Sequence, residues 1–148
     1  MQIIVVGYGR VGSRTARVLG EEGYDVVVVD NDHLKVERAR EQGLTVVEGD
    51  GTDEAVLKEA GIETADALGG ITGDVEDNHR ICRTGSEYGC RTVMRISEDV
   101  STDVYETYVD DCDEVIYPQR LGAAGAKTAL LGGSLNAIGD LTEQLQLT

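Results

Sequence analysis

The stretch Ile3-Ile4-Val5-Val6-Gly7-Tyr8-Gly9-Arg10-Val11-Gly12 constrains this chain more than any other. Four consecutive apolar residues suit a short strand buried on both faces. Glycines 7, 9 and 12 follow, and a helical pattern runs from Val11 to about Glu22, with Val11, Ala16 and Leu19 on its inner side and Gly23 as its stop. Glycines at this spacing carry weight only between a strand and a helix, which is where they stand here. Gly7 allows a tight turn. Gly9 removes a side chain where a pyrophosphate must approach the backbone, and Gly12 lets the helix sit close to the strand. The helix N-terminus then offers unbonded N–H groups and a partial positive charge to an anion.

The rest of the chain continues the alternation. Strands are expected at Asp25–Asp30, Thr45–Glu48, Ala67–Ile71, Arg91–Ile96 and Glu114–Tyr117, the fourth weakened by Gly69-Gly70. Helices are expected between them: Asp32–Gln42, a stretch capped by Thr52 or Asp53 and running to Ala60, Val75–Tyr88 and Thr102–Val109. Each return to a parallel strand needs such a crossover. The expectation is an α/β domain with a Rossmann-like, doubly wound, parallel six-stranded sheet over residues 1–118. Residues 119–148 read differently. Ala124, Thr128, Leu131, Leu135, Ile138, Thr142 and Leu145 recur in steps of four and three, which suits a helix packing on another helix. Gly132-Gly133 should break that helix.

In open parallel sheets, ligands bind beyond the carboxyl ends of the strands, and the candidate site follows from that rule. Gly7, Tyr8, Gly9, Arg10, Val11 and Gly12 form the expected phosphate loop. Asp30, followed by Asn31, ends the second strand about twenty residues past the loop. There a carboxylate accepts hydrogen bonds from ribose hydroxyls and repels a 2′-phosphate, which favours NAD over NADP. No Arg follows Asp30 directly. Asp50, in Gly49-Asp50-Gly51-Thr52, either reaches an adenine amino group or caps its own turn. Thr72-Gly73-Asp74 faces the same crevice after the fourth strand. Arg95, inside the fifth strand, is costly to bury unless it meets a bound phosphate or a carboxylate.

Composition limits the alternatives. With 13 basic and 28 acidic residues the net charge is −15, which counts against nucleic acid or an anionic membrane surface as the main partner. Such density of acid also suits adaptation to high salt, a halophilic source. Cys82, Cys90 and Cys112 show neither disulfide nor zinc spacing, and no metal site is expected, His79 and Cys82 notwithstanding. Met1 leads straight into a strand and no apolar run approaches about twenty residues, so neither a signal peptide nor a membrane span is expected, and the cytoplasm is the expected location. Gly122-Ala-Ala-Gly125-Ala-Lys127-Thr128 lacks the four-residue gap of a P-loop. No catalytic residue is expected: His33 and His79 have no evident acid–base partner in sequence. A small NAD-dependent oxidoreductase, or the nucleotide sensor of some other cation transporter, stands as the alternative.

Taken in order, these motifs resemble the regulator of potassium conductance family, also called RCK, KTN or TrkA-N domains. The likeness rests on the Gly7–Gly12 loop, Val29-Asp30, Gly49-Asp50-Gly51-Thr52, Thr72-Gly73-Asp74-Val75-Glu76-Asp77-Asn78, Met94-Arg95-Ile96 and Asp113-Glu-Val-Ile-Tyr-Pro118. The resemblance implies a cytosolic regulatory module at the inner face of the cell membrane. It would bind NAD(H) foremost, or ATP, ADP or AMP, and gate a membrane potassium transporter or channel. By position it implies phosphates on Gly7–Val11, ribose on Asp30, a crevice wall at Gly73-Asp74 and a phosphate on Arg95. It also implies a homodimer or higher ring through the crossover helix after Pro118. Two departures stand out: Gln119 occupies a position where some members carry an acidic residue, which counts against a metal-bridged ATP response, and the family's usual C-terminal lobe is not expected within these residues, which suits either an isolated N-lobe or a naturally short subunit.

Overall fold

The computed structural model describes residues 1–97 and 100–133. Two compact units divide the chain, residues 1–116 and a second beginning at Tyr117.

In the first unit six strands alternate with five helices: β1 (Gln2–Val6), α1 (Arg10–Glu21), β2 (Asp25–Asp30), α2 (His33–Glu41), β3 (Thr45–Glu48), α3 (Glu54–Glu59), β4 (Ala67–Gly70), α4 (Val75–Glu87), β5 (Arg91–Arg95), α5 (Thr102–Asp111) and β6 (Glu114–Ile116). All pairings are parallel and the strand order is β3-β2-β1-β4-β5-β6. This is the doubly wound, Rossmann-like arrangement. Its winding reverses between β1 and β4, which leaves a crevice at the carboxyl ends of those strands.

With no Phe or Trp, the core is mainly aliphatic, with Tyr8 and Tyr108 also buried. Successive side chains of a strand point to opposite faces. Ile4, Val6, Val29 and Leu68 pack with Leu57, Ile62, Ile81 and Cys90 on one face, while Val5, Val26 and Val28 pack with Ala16 and Ala39 on the other. Full burial of such a side chain contributes about 1.5–3 kcal/mol. The glycines that weakened β4 as a sequence signal have a packing role. A Cβ on Gly70 would lie 2.9 Å from the Asn78 carbonyl oxygen and 3.0 Å from its Cα, so glycine admits α4 against the sheet.

Four helices begin on a side-chain cap: Asp32 for α2, Asp53 rather than Thr52 for α3, Asp74 for α4 and Ser101 for α5. Helix α1 begins on Gly9 with no side-chain cap.

The second unit opens with α6 (Pro118–Leu130), which has Pro at its first helical position. It ends just before Gly132, at φ +84°, as the glycine pair leads one to expect. The Gly122–Thr128 stretch that superficially resembles a P-loop lies wholly within this helix. The further repeat positions Leu135, Ile138, Thr142 and Leu145 fall outside the described residues. Among the described residues, no helix is long and apolar enough to cross a membrane.

Candidate functional site

The three loop glycines do three different things. Gly7 has φ +105°, and a Cβ there would lie 2.7 Å from the Ile71 carbonyl oxygen. Its N–H donates to the Val29 carbonyl at 2.8 Å, tying the loop to β2. A Cβ on Gly12 would sit 1.9 Å from the Gly7 carbonyl oxygen, so α1 can start this close to β1 only with glycine. Around Gly9 the space is open: a Cβ would meet nothing within 4 Å.

Helix α1 therefore begins with its first-turn N–H groups uncapped and with no acidic residue in that turn. The first intrahelical bond is donated by Ser13 to the Gly9 carbonyl, and the amides of Arg10, Val11 and Gly12 precede it.

The loop borders a cleft of about 210 Å³ at the point where the winding reverses. Gly7, Tyr8, Gly9, Asp30, Asn31, Gly51, Thr72, Gly73, Asp74 and Arg95 all line it, from five different segments of the sequence. Arg10, Val11, Gly12 and Asp50 do not. The exposed Arg10 side chain faces a neighbouring groove, Val11 packs into the core beneath α1, and Gly12 has no side chain to offer. Asp50 spends its carboxylate on its own turn, accepting from the Thr52 N–H at 2.9 Å and the Thr52 hydroxyl at 2.8 Å. Those two bonds, the backbone one first, hold its pKa below the usual carboxylate value.

Asp30 is buried, and each carboxylate oxygen accepts a backbone N–H, from Tyr8 at 2.8 Å and from Asp32 at 2.8 Å. It orders the phosphate loop from below. Each oxygen keeps a further lone pair for a ribose hydroxyl.

Arg95 ends β5 and is half-buried in the cleft wall. Its Nε is buried and has no hydrogen-bond partner. Among the described residues no carboxylate pairs with it. The alternative of a carboxylate partner, open on sequence alone, therefore has no support among the described residues, and a buried donor on a cleft-lining residue is left without a partner.

Sequence reasoning missed Asn78 as a site residue. It is fully buried on α4, where its Nδ2 donates to the carbonyls of Thr72 at 2.9 Å and Arg95 at 3.0 Å. Its Oδ1 accepts from the Thr72 N–H at 2.9 Å and the Thr72 hydroxyl at 2.7 Å. One side chain thus fixes the β4–α4 loop and the end of β5 together. The available signal was an Asn on the apolar face of α4, among Val75, Ile81 and Cys82. Lys35 and Asp77 also line the cleft and were not singled out. Burial, and then the charges of Asp74 and Asp50, raise the pKa of Asp77 above the ordinary carboxylate value. His79 does find a partner, Asp111 at 2.6 Å, and its ring packs 4.9 Å from that of Tyr108. Among the described residues no three His, Cys, Asp or Glu side chains gather as a metal site.

The sequence that builds this cleft matches the TrkA-N domain model over residues 3–118. The chain belongs to the TrkA-N family. A Trk system potassium uptake protein TrkA homolog of Pyrococcus abyssi is 37% identical over 133 residues, covering 83% of this chain and 57% of the relative. This TrkA-N chain thus spans a little over half the length of that relative. The Kef CTD of Shewanella denitrificans in its AMP-bound form has a TM-score of 0.69 at 21% identity, covering 99% of this chain and 93% of the other. The GsuK channel bound to NAD has a TM-score of 0.64 at 22% identity, covering 78% of this chain and 21% of the other. At these identities the structural likeness is one of fold.

Proposed function

We propose that this TrkA-N domain binds an adenine nucleotide in the β1–β4 cleft and acts as a cytosolic regulatory module of potassium transport. The phosphates sit on the N–H groups opening α1 and on Arg95, the ribose on Asp30, and Gly73-Asp74 forms the facing wall. The observation that carries the reading is the pairing of an uncapped α1 N-terminus with the unpartnered Nε of Arg95 on one cleft. The uptake-protein relative supports the regulatory role, and the NAD-bound and AMP-bound neighbours support the ligand class. NAD(H) is favoured, with ATP, ADP and AMP as the related ligands.

The domain works by binding and not by catalysis. Asp30 and Asp74 are committed to backbone N–H groups, of the loop and of α4 respectively. A ligand biases two arrangements of an assembly only by its differential affinity for them. The assembly is a homodimer or higher ring formed through the segment beyond residue 118, on whose first helix Leu121 and Leu130 are exposed, and it acts on a membrane potassium transporter or channel subunit.

Unfolding midpoints measured with NAD, NADH, ATP, ADP and AMP test the ligand: a bound nucleotide raises the midpoint with its concentration. Indifference to all five rejects the reading. Sedimentation of a chain truncated after Gln119 tests the assembly, with a monomer expected and a persisting dimer contradicting it.

A further inference from the structure

Two stretches of the cleft wall come from separate strands: the Thr72-Gly73-Asp74 loop after β4 and Arg95 at the end of β5. One buried side chain joins them. Asn78 is fully buried on α4 and uses its whole hydrogen-bonding capacity on these two segments. Both Nδ2 hydrogens go to the carbonyls of Thr72 and Arg95, and Oδ1 accepts both the N–H and the hydroxyl of Thr72. Gly70 is what lets the helix in at this point, since a Cβ there would press on the Asn78 backbone. Partly exposed Ser97 adds a second tie between the same segments, its hydroxyl donating to the Gly73 carbonyl at 2.9 Å.

Packing alone does not call for an amide here. The other buried side chains of α4, Val75, Ile81 and Cys82, are apolar. A satisfied buried amide adds only modest net stability over an apolar side chain of similar shape. What it fixes is position: Asp would keep the shape and lose both donors, and Leu would leave both carbonyls without these bonds. The position matters because Arg95 carries the buried Nε that has no partner. A long side chain presents a donor accurately only where the backbone it leaves from is held by supporting hydrogen bonds.

We propose that Asn78 is the positioning residue of the nucleotide site: by tying the Thr72–Asp74 loop to the Arg95 end of β5, it sets where Arg95 meets the ligand. Ser97 is the minor tie of the same kind. This rests on the nucleotide reading above and deepens it. The test is calorimetric titration of the full chain with NADH and with ADP, run as two double-mutant cycles, Asn78→Ser with Arg95→Met and Ser97→Ala with Arg95→Met. The unfolding midpoint of each variant is measured alongside.

Asn78→Ser is expected to lose about tenfold in affinity and Ser97→Ala about twofold to threefold. In the Arg95→Met background neither should lower affinity further by more than about twofold, because the group they position is gone. A residue that serves the fold alone would lower the midpoint and leave the affinity of the folded protein unchanged, or would cost the same factor with and without Arg95. Either result overturns the positioning role and leaves the nucleotide reading standing. Should Asn78→Ser fail to fold, the Ser97 cycle decides by the same criteria. Failure of the unaltered chain to bind either nucleotide overturns the nucleotide reading, and the positioning role with it.

Discussion

Two helices open onto the same cleft, and their first turns are built in opposite ways. Helix α1 starts on Gly9, uncapped and without acid in its first turn. Helix α4 starts on Asp74, whose carboxylate accepts the Asp77 N–H at 3.0 Å, and carries Glu76 and Asp77 in its first turn. Both are positive dipole ends. One has its negative charge built in and the other waits for it. In the proposed binding mode the difference would orient a ligand: its phosphates would go to α1, and its neutral hydrogen-bonding groups would face α4, where the carboxylates would repel a phosphate. A cleft with two uncapped ends would hold phosphates either way round.

Substitutions that blur this difference have effects of graded size. The largest is expected for Gly12→Ala. The Cβ would press on the Gly7 carbonyl oxygen, and neither backbone can yield, so a loss of about 3 kcal/mol or more is expected in urea unfolding. Next comes Gly9→Asp, which gives α1 the kind of cap α4 has. Gly9 sits at φ −82° and ψ −156°, extended backbone open to any residue, and its Cβ direction is clear. Stability should hold or rise by about 0.5–1 kcal/mol, while nucleotide affinity should fall about a hundredfold, read by calorimetry. Unchanged affinity would break the comparison.

Arg95→Met comes third. It removes a buried donor that lacks a partner, so the ligand-free protein should be as stable as before or more so, while affinity falls about tenfold. A loss of stability without loss of affinity would show that Arg95 serves the fold instead.

Asp77→Asn should have the smallest effect, and only on stability. The folded-state pKa of Asp77 is raised, first by burial and then by Asp74 and Asp50. Ionised Asp77 therefore destabilises the fold at neutral pH, and the penalty fades as pH falls through its folded pKa. The Asn variant should be slightly the more stable at pH 7, with the difference gone below the ordinary carboxylate pKa. Asp50 has the opposite sign: its lowered pKa stabilises the fold at neutral pH, and that contribution is lost on acidification.

How far the sequence reached follows the physics of each feature. Strand and helix positions were legible because burial on two faces writes continuous apolar runs such as Val26–Val29, and because glycines and caps punctuate them. The loop was legible because sterics leave only glycine at Gly7 and Gly12. Asp30 was legible by spacing, yet not its bonds to Tyr8 and Asp32, which depend on how the loop folds back. Asp50 shows the limit most clearly: sequence placed it beside the crevice, and only the turn geometry showed its carboxylate turned to Thr52. Asn78 was hidden because one buried amide joining three backbone segments leaves no periodic trace.

The central claim is that the phosphates sit on the opening turn of α1. Amide and guanidinium N–H resonances of isotope-labelled protein, followed while ADP or NADH is added, report on it directly. The largest shifts are expected at the amides of Gly9, Arg10, Val11 and Gly12 and at the Nε–H of Arg95, with smaller ones around Asp30. Shifts concentrated at Asp74–Asp77 with the α1 turn unmoved, or none with either nucleotide, would contradict the account.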